Sequence, residues 1–384
     1  MELLRKVICY VPTLRFPDFS EEWRSTPMKN VCSFAKGYGI AKENLSAEGT
    51  PCILYGELYT YYKTAIAKDI RSKTQLDPTD LFHSKANDVI IPCSGETAVD
   101  IATSVCVPYD DVLLGGDLTV IRTKLNGAFL SNQLNGVRRK KIATIAQGAS
   151  IVHLHADELK KINITYPTRE EQDKIAHFID CLDERIATQN KIIEDLKILK
   201  KELCKRMLNN AEWQIYKIKD IAKLGRGRVI NTDEINSQIH PKYPVYSSQT
   251  SNNGIMGYLD QYDFEGEYIT WTTDGANAGT VFYRNGKFNC TNVCGTIKLT
   301  VNFDYYITAL SIQIVAERYV SKNLANPKLM NNVMAEIEIN LPDVELQEEL
   351  SSFFSAIDMK IKNEEKLLAC YMSERQFILN SMFI

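Results

Sequence analysis

The chain has 384 residues, enough for two or three domains that each bury a core of their own, and 45% of its residues are hydrophobic. Its 45 lysines and arginines are balanced by 48 aspartates and glutamates, so the net charge of -3 gives no global basic signal and any surface for nucleic acid must be local. No stretch approaches about eighteen consecutive apolar residues, and no small-residue cleavage site follows the charged opening segment, so we expect an unexported, cytoplasmic protein.

Cysteine and histidine usage gives little support for a metal site. The ten cysteines include no Cys-x-x-Cys pair, which favours reduced thiols that act as small apolar fillers. Cys290 and Cys294 could form half of a metal site, but histidine or cysteine partners are missing nearby in the sequence. His153 and His155 would share one face of a strand, and we interpret them as structural residues. We therefore predict no bound metal.

The first predicted domain opens at a tryptophan pattern that recurs later in the chain. Trp23 stands in Glu-Trp-Arg, and Trp213 stands in Glu-Trp-Gln. We predict an N-terminal segment at 1–22, a first domain at 23–158 and a second domain at 211–335. The residues after the two tryptophans correspond at equal spacing: Lys29, Val31, Phe34 and Gly37 match Lys219, Ile221, Leu224 and Gly227.

Both domains are rich in strand and turn patterns, which predicts compact α+β folds. Asp88–Pro92 and Tyr268–Trp271 are typical of strands. Thr280–Arg284 and Lys287–Cys290 flank the dipeptide Asn285-Gly286, which favours a type I′ turn. We therefore predict a hairpin at that point.

Each domain is followed by a second repeated pattern and a long helix. Eight of ten positions at alternating four- and three-residue spacing are apolar in each helix, which is the signature of a coiled-coil seam. We predict a central helix at 159–210 and a C-terminal helix at 336–384, each preceded by a proline, that pack antiparallel. The repeated pattern is Ile162-x-Ile164-x-x-Pro167-x-x-Glu170-x-Gln172, which returns 175 residues later as Ile337-x-Ile339-x-x-Pro342-x-x-Glu345-x-Gln347.

The polar exceptions in the two seams fall at equivalent places and suggest a register. Gln189 corresponds to Glu364, and Lys200 corresponds to Arg375. Polar seam residues commonly fix the register of paired helices. We predict that Lys200 lies opposite Glu364 and that Gln189 lies opposite Arg375, so that every polar seam residue has a polar partner.

The order of these motifs resembles that of the specificity subunit of type I restriction-modification enzymes, over essentially the whole chain. The resemblance implies an α+β fold in which two α/β target-recognition domains are separated by two long antiparallel helices, an intramolecular coiled coil with pseudo-two-fold symmetry. The second helix departs from the family by ending almost at Ile384, so its final turns are expected to fray. Three further segments are similar to recurrent family patterns: Leu14–Phe19 with Trp23, Ser94–Ala102, and Gly275–Val281 with Gly286-Lys287-Phe288.

The resemblance also implies a noncatalytic subunit of a DNA adenine methyltransferase and type I restriction endonuclease complex. Its partners would be double-stranded DNA, two S-adenosylmethionine-dependent methyltransferase subunits, and restriction subunits that use ATP and Mg. The chain itself would bind no cofactor. The residues agree, because the sequence has no amino-methyltransferase Asn/Asp-Pro-Pro-aromatic tetrapeptide, no Gly-x-x-x-x-Gly-Lys-Ser/Thr phosphate loop and no glycine fingerprint after a strand.

The predicted helix pair would determine how such a chain meets DNA. A pair of roughly 35-residue helices is about 50 Å long. Domains at its opposite ends would contact a duplex about one helical turn apart, near the ~34 Å spacing of half-sites in dimeric DNA binders. Two unlike domains would recognise two unlike half-sites, so we predict an asymmetric, bipartite target.

The candidate DNA-contacting residues are cations for phosphates, and amides, hydroxyls and charged groups on loops for base edges. Ordinary turn chemistry or a solvated helix face would explain any one of them equally well. In the first domain they are Lys36 and Tyr38, Ser94, Glu96 and Thr97, and Arg138 and Arg139 in a basic run. In the second domain they are Lys223, Arg226, Arg228, Ser248, Gln249, Asn252, Asn253, Thr272, Asp274, Asn277 and Asn292.

Two other functions stay open on the sequence. A coiled-coil scaffold that displays two protein-binding domains fits the balanced charge. An enzyme site could be assembled from the polar loops. The paired repeat and the recognition-domain patterns favour DNA specificity over both.

Overall fold

The structure, a computed structural model, describes residues 11–148, 151–210, 212–321 and 326–384. The chain forms two compact units: unit 1 is Met1–Asn190 with Lys366–Ile384, and unit 2 is Lys191–Glu365. The predicted N-terminal segment 1–22 lies partly outside the described residues, as does Cys9. Within the described ranges, no helix has both the length and the apolar character needed to cross a membrane.

Unit 1 combines small sheets with short helices. Its larger sheets have the strand orders β2-β10-β6-β8 and β3-β5-β4-β9. The strands are β1 (Arg24–Pro27), β2 (Cys32–Lys36), β3 (Leu45–Ser46), β4 (Thr50–Ile53), β5 (Ser72–Thr74), β6 (Asp88–Pro92), β7 (Ser94–Gly95), β8 (Val105–Val107), β9 (Leu113–Leu114), β10 (Leu118–Thr123), β11 (Val152–His153) and β12 (Asn163–Tyr166). The helices are α1 (Glu57–Thr60), α2 (Ala98–Ile101), α3 (Gly127–Asn135), α4 (Arg139–Ile145), α5 (Ala156–Leu159) and the first part of α6 (Arg169–Met207), with 3-10 turns at Met28–Asn30, Lys42–Asn44 and Pro78–Asp80.

Unit 2 is built around one six-stranded sheet of order β14-β19-β17-β18-β15-β16. The strands are β13 (Gln214–Lys217), β14 (Ala222–Arg226), β15 (Tyr243–Tyr246), β16 (Ile255–Leu259), β17 (Phe264–Thr272), β18 (Val281–Cys290), β19 (Cys294–Leu299) and β20 (Glu338–Leu341). The helices are α7 (Ile218–Ile221), α8 (Thr232–Asn236), α9 (Tyr305–Ala316), α10 (Asn331–Ala335) and α11 (Val344–Ser381), with 3-10 turns at Ser251–Gly254 and Glu317–Tyr319. The last part of α6 belongs to unit 2, and the last part of α11 belongs to unit 1.

The two units share one frame, which confirms that the sequence repeat is a structural repeat. The strand after each tryptophan pairs antiparallel with the strand before each long helix: β1 pairs with β12, and β13 pairs with β20. The next strands also correspond, because β2 pairs with β10 and β14 pairs with β19. Along the chain, β10 is followed by the buried helix α3, and β19 is followed by the buried helix α9. The sheets between these elements differ in strand number and order.

The predicted hairpin at Asn285-Gly286 is wrong. Val281–Cys290 is a single strand, β18, that pairs antiparallel with β17 from Phe264 to Trp271. Gly286 lies opposite Gly266 in this ladder, and both have a positive φ, 108° and 90°. Glycine has no Cβ, so it tolerates a positive φ at these two positions. The dipeptide therefore lies within a continuous ladder and does not reverse the chain.

The long helices begin where the repeated prolines indicate. α6 starts two residues after Pro167, and α11 starts two residues after Pro342. Both helices are shorter than the predicted spans 159–210 and 336–384, because each span opens with a strand, β12 or β20.

The end of α11 is anchored, so the predicted fraying of its last turns is wrong. Leu379, Met382 and Phe383 are buried in the core of unit 1. The backbone N–H of Leu14 donates to the carbonyl of Ser381 at 2.9 Å. These apolar side chains stabilise the C-terminus against the domain.

Within each unit the two long helices run antiparallel and are joined by an ion pair. In unit 2, Lys200 Nζ lies 2.6 Å from Asp358 Oδ1. In unit 1, the Arg375 guanidinium binds the carboxylate of Asp183, which is 7% exposed. Lys200 and Arg375 occupy equivalent positions of the repeat, and so do Asp183 and Asp358. The two ion pairs are therefore equivalent contacts of the repeat.

These ion pairs give Lys200 and Arg375 carboxylate partners that the sequence did not predict, and the predicted register stays a prediction. The carboxylate that each cation binds lies six residues before the predicted partner, Glu364 or Gln189. The sequence-based prediction considered only the polar residues at seam positions as possible partners for one another. The long cationic side chains instead reach acidic residues that the apolar seam pattern does not include.

The glutamine of each repeated motif fastens the long helix to the domain core. Gln172 is 2% exposed, and its Nε2 donates to the carbonyl of Pro167 at 2.9 Å. Its Oε1 accepts from the backbone N–H of Asn126 at 2.9 Å. Asn126 is the N-cap of α3, where its own side chain accepts from the Phe129 N–H.

The second copy makes the same contacts with a different cap. Gln347 is 0% exposed; its Nε2 donates to the Pro342 carbonyl at 2.9 Å, and its Oε1 accepts from the Asp304 N–H at 2.8 Å. Asp304 is the N-cap of α9. The glutamine of the repeated pattern is thus explained by one buried amide that satisfies two backbone groups.

Replacing Gln347 with alanine is expected to lower the free energy of unfolding by about 1–3 kcal/mol, because two buried backbone groups lose their partner. Gln172→Ala should have an effect of similar size. Urea denaturation followed by circular dichroism measures both. Gln261→Ala, at an exposed glutamine, is the control and should stay within about 0.5 kcal/mol of the wild type. Wild-type stability in Gln347→Ala would contradict the fastening role.

Candidate nucleic-acid interface

Two of the predicted DNA-contacting residues in unit 1, Lys36 and Ser94, meet at Asp117. Lys36 ends β2, Ser94 opens β7, and Asp117 precedes β10 with a left-handed φ of 59°. The Asp117 carboxylate accepts from Ser94 Oγ at 2.9 Å and lies 3.6 Å from Lys36 Nζ. Sequence reasoning missed Asp117, because its partners come from two distant segments.

Tyr38 stands at the edge of a cavity next to this cluster. It is 52% exposed, and the cavity has a volume of about 870 Å³. The preceding Gly37 has to be glycine, since a Cβ there would lie 2.3 Å from the Gly115 carbonyl oxygen. An aromatic ring, a cation and a carboxylate therefore surround one concavity, whose lining includes Lys36, Tyr38, Tyr55 and Asp117.

Glu96 and Thr97 differ in their availability to a ligand. Glu96 is exposed. Thr97 caps α2: its Oγ1 accepts from the Asp100 N–H at 3.1 Å and donates to the Asp100 carboxylate at 2.6 Å. Thr97 therefore has an ordinary capping role, and Glu96 is the better candidate for contact.

Arg138 and Arg139 are half-buried and hold the domain together. Arg138 Nε donates to the Asn163 carbonyl at 2.7 Å, and burial lowers the pKa of Arg138. Arg139 donates to the Val99 carbonyl at 3.2 Å. Both guanidinium groups thus have structural partners, and their contact with DNA stays a prediction.

In unit 2, hydrogen bonds join three polar loops, at 247–254, 273–280 and 291–293. Asn277 Nδ2 donates to the Ser248 carbonyl at 3.2 Å. The Thr273 N–H donates to the Val293 carbonyl at 2.9 Å, next to the exposed Asn292. The structure therefore brings Ser248, Asn277 and Asn292 onto one connected set of loops.

The loop at 247–254 contains three predicted amides with different surroundings. Gln249 Nε2 donates to the Ile255 carbonyl, so this amide is used within the turn. Asn252 and Asn253 are exposed and left-handed, with φ of 47° and 53°. These two amides are the better candidates for base contact.

Thr272 and Asp274 lie at the end of β17. Thr272 is 1% exposed, and its Oγ1 has no hydrogen-bond partner among the described residues. Asp274 Oδ2 lies 3.6 Å from Lys328 Nζ. Burial argues against direct contact between Thr272 and a ligand, whereas Asp274 and Lys328 form a charged pair at the edge of the loops.

The three cations predicted to contact DNA in the second domain, Lys223, Arg226 and Arg228, have unequal surroundings. Lys223 and Arg226 are exposed on β14. Arg228 is held by two carboxylates, with Nη2 2.6 Å from Glu234 Oε1 and Nε 3.0 Å from Asp263 Oδ2. Its charge is therefore largely compensated, while those of Lys223 and Arg226 are available to phosphates.

Histidines and cysteines do not assemble a metal centre in the described ranges. His153 and His155 line a cavity of about 390 Å³ together with Lys36 and Asp117. No group of three histidine, cysteine or acidic residues in the part of the chain that the structure describes is placed to hold a metal. The described cysteines are free thiols, and burial raises the pKa of Cys52 and Cys204 to about 11, which makes them poorly reactive.

A family model and individual relatives of this chain are described in the same terms. Residues 20–197 and 210–369 match the family model described as the type I restriction modification DNA specificity domain. The specificity subunit of the type I restriction enzyme MpnII from Mycoplasma pneumoniae is 41% identical over 151 residues, 39% of this chain and 45% of that protein. Another M. pneumoniae protein, described as a type I specificity subunit, is 36% identical over 203 residues, 52% of this chain and 84% of the relative.

A solved structure shares the fold. The crystal structure of the type I restriction-modification system S subunit from M. genitalium aligns with a TM-score of 0.63 at 17% identity, over 97% of this chain and 99% of that one. The fold described above is therefore that of a specificity subunit with two recognition domains.

If this interface binds DNA, Lys223→Ala should reduce the slope of log K against log salt by about 0.9, the loss of one phosphate contact. Arg228→Ala should leave the slope nearly unchanged, since its charge is already compensated. Fluorescence titration of duplex DNA across salt concentrations measures both slopes. A larger change for Arg228→Ala than for Lys223→Ala would contradict this ranking, and binding that does not depend on salt would favour a protein scaffold.

Proposed function

The chain belongs to the type I restriction modification DNA specificity family, and we propose that it selects the DNA target of such a complex without catalysing a reaction itself. The target would be an asymmetric, bipartite sequence in double-stranded DNA, with one half-site for each recognition domain. The support comes from two matched segments of the chain that differ in their polar loops.

The single observation that carries this proposal is the contrast between a repeated frame and unlike loops. The strand pairs β1–β12 and β13–β20 and the buried glutamines are the same in both units. The exposed polar groups are different: unit 1 presents Lys36 and Glu96, and unit 2 presents Asn252 and Asn253. Different chemistry on a repeated frame suits recognition of two different half-sites.

The exposed groups have the chemistry that base recognition requires. A lysine binds the acceptors of guanine, a glutamate accepts from the amino group of cytosine, and an asparagine forms paired hydrogen bonds with adenine. Lys223 and Arg226 would supply phosphate contacts that fix the domain on the duplex. The overall charge of -3 is compatible with this, because only these local cations need to face the DNA.

Recruitment of two copies of one partner is supported by exposed apolar residues at equivalent positions of the repeat. Ile192 on α6 is 41% exposed, and Leu367 on α11 is 39% exposed. These residues are 175 positions apart, the offset of the helix repeat. We assign them to the docking of two methyltransferase subunits, which would bind S-adenosylmethionine. Restriction subunits that use ATP and Mg would complete the complex.

Exchanging residues 24–158 for the corresponding domain of another family member should change one half-site and leave the other unchanged. The reciprocal exchange of residues 212–335 should change only the second half-site. Methylated adenines produced by the assembled complex on plasmid DNA, mapped by sequencing, report both. A change in both half-sites, or in neither, after a single exchange would contradict the proposal that each domain recognises one half-site.

Ile192→Glu and Leu367→Glu should each remove one methyltransferase subunit from the complex, and the double variant should remove both, because a buried carboxylate opposes apolar docking. Native mass spectrometry of the co-expressed complex counts the subunits. Lys191→Glu, which adds a glutamate at an adjacent exposed position, should retain two. Full assembly of the double variant would contradict the assignment.

A further inference from the structure

Arg284 in unit 2 is a buried guanidinium group without a carboxylate partner among the described residues. It lies in β18 and is 4% exposed. Its Cζ atom is 3.6 Å from the ring centroid of Tyr246 and 4.3 Å from that of Phe282. Burial of an arginine is unfavourable unless it is well paired, so a buried arginine at this point calls for a specific role.

The polar contacts of Arg284 lead to the turn that carries Asn252 and Asn253. Its Nη2 donates to the Asn253 carbonyl at 2.9 Å, and its Nε donates to Thr270 Oγ1 at 3.3 Å. A Cβ on Gly254 would lie 3.1 Å from the same Nη2. The guanidinium group of Arg284 therefore packs beneath the turn and donates to its backbone.

This turn has an unfavourable backbone conformation that needs such support. Asn252, Asn253 and Gly254 are consecutively left-handed, with φ of 47°, 53° and 82°. Residues with a Cβ disfavour this region, although asparagine tolerates it better than most. The Ser247 N–H closes the turn by donating to the Gly254 carbonyl at 3.0 Å.

The turn leaves two short amides at the surface in fixed positions. Asn252 and Asn253 are exposed, and their side chains make no hydrogen bond within the described chain. An asparagine amide can donate to N7 and accept from the N6 amino group of adenine in the major groove. A rigid backbone under such a side chain reduces the freedom that is lost on binding. Arg284 itself is too buried to reach a base.

We propose that the Asn252–Asn253 turn recognises adenine in the half-site of unit 2, and that Arg284 is the positioning residue that holds this turn. The inference rests on the proposed function, since it names the base and the residues for one half-site. It assigns Arg284 no direct contact with DNA.

The test separates the amide chemistry from the backbone conformation. Asn252→Gly and Asn253→Gly, singly and together, remove the amides, while glycine keeps the left-handed backbone. Arg284→Lys keeps a positive charge and both amides but cannot hold two acceptors in the geometry of a guanidinium fork. Asn302→Gly, at an exposed asparagine beyond β19, is the matched control.

The full chain, co-purified with its methyltransferase subunits, would be mixed with DNA duplexes carrying a randomised stretch, and bound duplexes would be sequenced. The glycine double variant is expected to lose about tenfold or more in adenine preference at one position of one half-site. Arg284→Lys should weaken preference at that same position, and neither should alter the other half-site. Asn302→Gly should match the wild type.

Two outcomes would overturn the inference alone: unchanged base preference in the glycine double variant, or an Arg284→Lys variant that melts at a lower temperature with its preference intact. If Arg284→Lys fails to fold, Arg284→Gln takes its place and is judged by the same base preference. A wild-type complex that enriches no sequence from the pool would overturn the proposed function, and this inference with it.

Discussion

The buried glutamine at the start of each long helix is the contact on which the rest of the structure depends. Gln172 and Gln347 each join a proline carbonyl to the backbone N–H of an N-cap residue, Asn126 or Asp304. The amide therefore fixes one end of a long helix to the buried helix of its own domain. A recognition domain satisfies this constraint by supplying any N-cap residue at that point, and the remainder of its sequence is free to differ. This explains how two domains with different sheets occupy one repeated frame.

Ion pairs occur both in the repeated frame and in the loops that differ between the two units. The frame uses ion pairs at equivalent positions, Lys200 with Asp358 and Arg375 with Asp183. Many loop cations are also paired, and Arg228 has two carboxylate neighbours. A nearly neutral chain can still bind a polyanion if a few cations stay free on the surface that faces it, since each phosphate contact contributes through counterion release. The low net charge is therefore compatible with a local DNA-binding surface.

The sequence predicted the parts of the molecule that depend on local periodicity. The repeat, the helix starts after Pro167 and Pro342, and the strand Asp88–Pro92 are confirmed. The wrong hairpin concerns pairing between distant segments, because Gly286 lies opposite Gly266 within a continuous ladder. The acidic partners of Lys200 and Arg375 lie outside the apolar seam, so the seam pattern could not indicate them. In the candidate site, exposed loop residues could be proposed from composition. Asp117 and Arg284 could not, because their roles arise only from tertiary contacts.

The central claim is that two unlike domains on one frame specify two unlike half-sites. Single-molecule sequencing of genomic DNA from the host strain, with and without the gene for this chain, tests it most directly. The account predicts that deletion abolishes adenine methylation at one motif made of two different half-sites with a fixed spacer. Loss of a symmetric or contiguous motif would contradict it, as would a methylation pattern that is the same in both strains.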